Sequence, residues 1–334
     1  MCATRSRKGS TKTSSCAEVS SSRGPSAEGV RVHWAELPHA IRSAIEQRLG
    51  GRVVEASTQN GGFSPGLATR LRLEDGRRVF VKAVSETANP DTPSIHRREA
   101  TIVAALPAFI PAPRFLWSHE EYGWIALCFE DIEGRQPFIP WTEPDLSLVI
   151  GALREMAADL TPSPIKTVQA ASAAFNSHIN GWNRALKRGE TRLDPWCLEH
   201  LAMLAELEAQ APRASVGDTL LHFDIRADNL IIAGDRVYVV DWPWARLGAA
   251  FVDWVGMAPS VAMQGGPEPD AFLGRFEPLG ASREAVDAVL CSLAGYFVVG
   301  ALEPPPPGLP TVRAFQAAQG DVAIAWLRRR VGWS

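Results

Sequence analysis

Apolar side chains recur at every fourth position in Leu37, Ile41, Ile45 and Leu49, the stripe of an amphipathic helix over 37–49 that closes at Gly50-Gly51. The period then shortens to two. Strands are predicted over 52–57, 68–73 and 78–84, with Glu74-Asp75-Gly76 turning the chain between the last two. A helix over 94–106 follows, then a loop between Pro107 and Pro113, then strands near 114–118 and 124–130. After Gly134 the pattern is mainly helical. Its exception is a tight hairpin, 230–232 and 236–240, turning at Ala233-Gly234-Asp235. A β-rich first third followed by a helical remainder predicts an α+β chain of two lobes, 30–131 and 132–334, with a cleft between them.

Two stretches depart from this pattern. Residues 1–29 hold Arg5, Arg7, Lys8, Lys12 and Arg23 against Glu18 and Glu28, in a background of serine, threonine and glycine. So little apolar surface does not offset the entropy of ordering, and a disordered tail is expected there. A dispensable tail, a start assigned too far upstream and an Arg/Ser-rich transit segment all fit its composition. The run from Ala288 to Leu302 has 15 uncharged residues. A membrane span needs about 20, so a buried helix is expected.

Composition narrows the function classes. The 334 residues carry a formal charge of −3, with a pI near 6.2, which argues against a general nucleic-acid binder. Cys2, Cys16, Cys128, Cys197 and Cys291 are odd in number and have no CxxC spacing. Neither a disulfide scaffold nor a zinc cage is suggested, and a cytoplasmic setting is expected. The seven histidines form neither HxH nor HExxH, so a metallohydrolase built on His222 and Asp224 lacks its remaining ligands.

The strongest chemical signal is His222-Phe223-Asp224-Ile225-Arg226-Ala227-Asp228-Asn229, followed by the hairpin and then Asp241. An apolar strand leads into a polar loop, and the hairpin's second strand returns Asp241 beside Asn229. A carboxylate and an amide oxygen presented together make a hard-oxygen site suited to Mg²⁺. Asp224 is placed to accept a proton from a substrate hydroxyl. The plainer alternative is a polar loop with Asp241 capping a turn. His222 reads as structural, bonding the loop backbone.

Upstream, Lys82 stands in the apolar middle of 78–84, on one face with Phe80 and Val84. Seventeen residues later Glu99 lies within the stripe of Ile95, Ile102, Val103 and Leu106. A carboxylate on a buried face needs a partner. Lys82 is the natural one; a border position paired with Arg98 or solvent is the other reading. Gly61-Gly62-Phe63-Ser64-Pro65-Gly66 sits between strand candidates, where glycines let backbone approach phosphates. It lacks the GxGxxG spacing, and Pro65 removes an amide donor.

Taken in order, the glycine loop, Lys82, Glu99, His222-x-Asp224-x4-Asn229 and Asp241 resemble the protein-kinase-like fold. More narrowly they resemble the aminoglycoside phosphotransferase family of small-molecule kinases, from about Val53 to the C-terminus. Leu221 through Leu230, Val240-Asp241-Trp242 and Asp253 are the most specific parts. The resemblance implies a small β-rich lobe and a larger helical lobe with the active site between them. It implies ATP and Mg²⁺ as cofactors and a hydroxylated small molecule as acceptor, with no nucleic-acid, membrane or obligate protein partner. Asp224 would be the base and Arg226 would lie near the transferred phosphate. Asn229 and Asp241 would hold Mg²⁺. Lys82, fixed by Glu99, would contact the α/β-phosphates, and Gly61, Gly62, Phe63, Ser64 and Gly66 would cover them. Glu130 to Ile132 would meet the adenine edge, and Asp253 would support the loop from below.

The chain also departs from the family pattern. Phe223 stands where glycine is more frequent, Asp228 adds charge beside Asn229, and Trp242-Pro243-Trp244 replaces smaller residues. Met156 to Leu160 lacks the histidine that many members carry. A non-catalytic nucleotide-binding protein is the alternative function, against which the five polar positions stand together. A protein kinase is weaker, because Asp241 to Asp253 leaves little room for an activation segment and no Ala-Pro-Glu follows. The acceptor and the choice between ATP and GTP are not legible.

Overall fold

A computed structural model of the protein describes residues 25–87 and 89–333. Its amino-terminal sheet is antiparallel, in the order β1-β2-β3-β5-β4. The strands are β1 (Val53–Thr58), β2 (Leu67–Leu73), β3 (Arg78–Ser85), β4 (Phe115–Glu121) and β5 (Trp124–Glu130). β3 is central, and Lys82 lies opposite Ala68 on β2 and Leu127 on β5. Two-residue periodicity divides its side chains. Val79, Val81 and Ala83 join a core formed with Ile41, Ile45 and Leu49 of α1 (His39–Leu49), while Val84 joins the main core. Gly50 ends α1 in the left-handed region at φ 68°.

α2 (Thr92–Ala105) begins two residues earlier than its apolar stripe. The Asn89 side chain accepts from the amides of Asp91 and Thr92, and Pro93 suits a first turn. The carboxy-terminal part is helical: α3 (Glu143–Asp159), α4 (Ala171–Ser177), α5 (Gly181–Arg188), α6 (Pro195–Glu199), α7 (Leu201–Glu208) and α8 (Ala211–Ala214), then α9 (Phe251–Met263), α10 (Pro269–Leu273), α11 (Arg283–Ala301) and α12 (Val312–Val331). Two small sheets lie between α8 and α9. β6 (Thr219–Leu221) pairs with β9 (Arg246–Gly248), and β7 (Leu230–Ala233) pairs with β8 (Arg236–Val239) around Gly234 at φ 64°.

α11 is long and apolar enough to cross a membrane, but two-thirds of its apolar window is buried. It packs on α5, α7, α9 and α12 as the central helix of the helical part. The expected tail ends sooner than its composition suggests. Residues 1–24 lie outside the described residues, yet Ala27 accepts from the Gly62 amide at 2.9 Å and Glu28 donates to the Thr311 hydroxyl at 3.1 Å. Backbone partners supplied by two distant loops order residues 25–29, an effect that composition does not carry.

Candidate active site

Asp253, in the first turn of α9, fixes the loop that follows β6. Its two carboxylate oxygens accept from the amides of His222 and Phe223, each at 2.8 Å. Burial pushes this carboxyl up to about 7, against the pull of those two donors. The chain then turns through Phe223 at φ 68°. That left-handed conformation costs any residue with a Cβ and would cost glycine nothing.

His222 ties the loop to the returning hairpin. Its Nε2 lies 2.9 Å from the Val240 carbonyl and its Nδ1 lies 3.3 Å from the Asp224 amide. Burial lowers its pKa to about 4, so the ring is neutral, with Nε2–H donating and Nδ1 accepting. Trp242 packs edge-on against it at 4.8 Å. The structural role expected for His222 is therefore what the bonds describe. It also keeps the segments bearing Asp224 and Asp241 side by side.

The Asn229 side chain spans the loop, its Nδ2 donating to the Asp224 carbonyl at 2.8 Å and to the Asp224 carboxylate at 3.2 Å. With the nitrogen so engaged, Oδ1 is buried without a partner. Asp224 meets Arg226 through its other oxygen at 2.5 Å. Burial raises the Asp224 carboxyl to about 6, even though Arg226 pulls it down. Arg226 is also gripped bidentately by Asp228, at 3.0 and 2.9 Å. The guanidinium is thus a clamp between two carboxylates, a second role beyond its expected place near the phosphate.

Lys82 and Glu99 pair at 2.7 Å, with Glu99 only 3% exposed. The border reading of Glu99 is set aside by this burial, and Arg98 lies over the Trp244 ring instead. Lys82 also bonds Asp241. Burial works against both charges, but their mutual attraction wins: Lys82 is held above its ordinary range and Asp241 below. Asp241 is itself at φ 66°, at the sharp exit of the hairpin.

A cavity of about 430 Å³ opens between these elements. Gly61, Gly62, Ser64, Lys82, Glu99, Glu130, Ile132 and Asp241 line it; Phe63, Gly66, Asp224, Arg226 and Asn229 do not. Gly66 lies close over β3, where a Cβ would come within 2.5 Å of the Ala83 carbonyl, and its φ of 103° suits glycine alone. Phe63 reaches across the cleft, edge-on to Phe315 of α12 at 5.2 Å and over the Arg226 guanidinium at 5.2 Å. At the far end Arg70 donates to the Ile132 carbonyl at 3.2 Å and pairs with the buried Asp131 carboxylate, which Arg78 also holds.

The sequence reading missed Arg70 and Arg31, both of which line the cavity, and the buried ion pairs of Asp131. Arg70 had one available signal, since it shares a strand face with Ala68 and Arg72 beside Lys82. Arg31 had none.

Comparison with known proteins agrees with this fold. The fold is similar to that of a choline/ethanolamine kinase family protein from Mesorhizobium loti, at 15% identity and TM-score 0.57, covering 86% of this chain and 94% of that one. It is similar to amicoumacin kinase hAmiN, at 10% identity and TM-score 0.55, covering 87% and 95%. It is also similar to an aminoglycoside phosphotransferase from Alicyclobacillus acidocaldarius, at 13% identity and TM-score 0.51, covering 84% and 92%. At such identities the likeness is one of fold, the two-lobed kinase-like fold. No curated protein matches the chain. The model of the phosphotransferase enzyme family matches residues 61–286, from the glycine loop through Lys82, Asp224, Asn229, Asp241 and Asp253, and the chain belongs to that family.

Proposed function

We propose that the protein transfers the γ-phosphoryl group of ATP to a hydroxyl of a small molecule, with Mg²⁺. One observation carries the reading: Asn229 presents a buried, unpartnered Oδ1 from the same loop as Asp224, and His222 ties that loop to Val240, next to Asp241. An amide oxygen and a carboxylate fit a magnesium ion, which ordinarily keeps water and phosphate oxygens for its remaining positions. Bound there, the ion would neutralise charge on the donor phosphates.

The remaining roles belong to the chain itself. Lys82, anchored by Glu99, supplies positive charge to the phosphates. Gly61, Gly62 and Ser64 cover them from above. The Ile132 carbonyl already accepts from Arg70, so the Glu130 carbonyl and the Ile132 amide are assigned to the adenine edge. Asp224 accepts the hydroxyl proton as the new P–O bond forms and the bond to the leaving diphosphate breaks. Its raised pKa makes it a better acceptor than an exposed aspartate. Residues 30–131 would form the nucleotide lobe and 132–334 the lobe holding the acceptor. Choline, ethanolamine, amicoumacin and aminoglycosides belong to the structural neighbours' names and do not select among hydroxylated acceptors here. Consumption of ATP and the buried thiols of Cys128, Cys197 and Cys291 fit a reducing cytoplasm.

Calorimetric titration with ATP, with and without Mg²⁺, tests the reading beside Asp241→Ala. Mg²⁺-dependent binding that the variant loses is the expected result. Binding that ignores both Mg²⁺ and Asp241 would refute the metal assignment, and a folded protein that binds no ATP would refute the whole.

A further inference from the structure

The glycine loop is poorly equipped to hold phosphates by itself. Pro65 has no amide hydrogen. The Gly62 amide donates to Ala27 at 2.9 Å and the Gly66 amide donates to Val30 at 3.0 Å. Both go to a segment that precedes α1 and lies outside the stretch matched by the family model. That segment pairs back onto the loop through the Val32 amide, 3.1 Å from the Gly66 carbonyl. Three of the six loop positions therefore offer no free donor to an anion.

The same segment brings a cation. Arg31 reaches under the loop, its Nη1 donating to the Ser64 carbonyl and its Nη2 to the Gly61 carbonyl. Its Nε is buried and has no partner. Among the described residues no carboxylate forms an ion pair with it. Arg31 lines the cavity with Lys82, Ser64 and Asp241. Burial lowers its pKa more than the charge of Asp241, too far off to pair, raises it, and a partly buried guanidinium with no ion pair carries a desolvation cost that an anionic ligand would offset. Its position is fixed from the helical lobe as well, because Val30 donates to the Gly308 carbonyl at 2.8 Å and Glu28 to the Thr311 hydroxyl.

We infer that Arg31 is a phosphate-binding residue of the nucleotide site, delivered by the segment ahead of α1 in place of the loop amides which that segment occupies. The inference rests on the ATP site proposed above. It also gives residues 27–32 a reason to pair with the loop: the segment that takes the Gly62 and Gly66 donors returns a full positive charge.

Calorimetry on the full chain tests it, with Mg·ATP and adenosine as probes of wild type, Arg31→Ala, Arg31→Gln and Arg31→Lys. Glutamine keeps a donor for one loop carbonyl while removing the charge, so it separates the cation from the tie should alanine fail to fold. A charge-assisted bond predicts that alanine and glutamine weaken Mg·ATP by about 10- to 100-fold. Adenosine affinity stays unchanged, and lysine recovers part of the loss. ATP affinity within about twofold of wild type in Arg31→Gln overturns the inference. Equal losses for ATP and adenosine overturn it too, since Arg31 would then only hold the loop. Wild type that binds no ATP removes the proposed function and this inference together, whereas wild-type binding matched by Arg31→Gln removes this inference alone.

Discussion

Phe223 sets backbone against side chain in a way that reverses the usual ranking of two substitutions. Its φ is 68°, a conformation that costs a residue with a Cβ about 1–2 kcal/mol and glycine nothing. Its ring meets Phe175 edge-on at 5.8 Å and lies 6.0 Å from the Arg246 guanidinium. The ring is only partly buried, so its loss should cost about 2–3 kcal/mol, below the range for a fully buried phenylalanine. Phe223→Ala loses the ring and keeps the strain. Phe223→Gly loses the ring and sheds the strain, offset by about 0.4–1 kcal/mol for the freer unfolded chain. Glycine should therefore be less destabilising than alanine by about 0.5–1 kcal/mol, where in an ordinary loop alanine would be the milder change. Urea unfolding of both variants at unchanged slope measures the difference. If Phe223→Ala proves as stable as Phe223→Gly or more so, the left-handed strain assigned to this residue is not there.

Three further outcomes follow from the same geometry. Asp224→Asn should lower turnover by at least about 100-fold, the lower end for a lost general base, while Mg·ATP affinity measured by calorimetry changes little. Asp253→Ala leaves the buried amides of His222 and Phe223 without their acceptor, which should cost about 2–4 kcal/mol in denaturant unfolding, and asparagine should restore part of it. Glu208 carries a pH dependence. It caps α5 through the amides of Trp182 and Asn183, and burial raises its carboxyl to about 7 from an ordinary 4.5. Between those values the folded state holds a proton that the unfolded state has released, so this group's contribution to stability is lost as pH rises through the window. The loss amounts to about 3 kcal/mol at neutral pH. Glu208→Gln should flatten the stability profile between about pH 5 and pH 8, as followed by thermal melting.

What sequence could say about this protein depended on how local each signal was. The Lys82–Glu99 pair was legible because a two-residue period and a 3.6-residue period each placed one charge on an apolar face. The Asp224–Asn229–Asp241 arrangement was legible because a short hairpin fixes where its ends return. β6 and β9 were not, since three residues are too few to show alternation and their pairing spans the loop from His222 to Asn229 and the hairpin after it. The clamp of Arg226 by Asp228 was hidden for a different reason: a charged residue two positions from another has no preferred geometry until the 3₁₀ turn at Ala227–Asn229 sets one. Arg31 was hidden furthest, two residues past the stretch whose composition predicts disorder, where nothing in the pattern hints at contact with a loop thirty residues on.

The ion pairs of the site also say something about how its base is tuned. Arg226 is shared by Asp224 and Asp228, and Lys82 by Glu99 and Asp241. Each cation thus has one carboxylate that anchors it and one that takes part in the proposed chemistry. Asp228 can hold Arg226 as Glu99 holds Lys82, so either cation can turn its remaining donors toward phosphate without losing its anchor. The two releases differ in consequence. Asp241, parted from Lys82, would stay an anion, which is what the metal assignment asks of it. Asp224, parted from Arg226, loses the charge that most lowers its pKa, while the burial that raises it is unchanged. On the proposed function, a phosphate that drew the guanidinium away would remove that lowering influence, leaving burial and the charges of Asp228 and Asp241 to hold the carboxyl up.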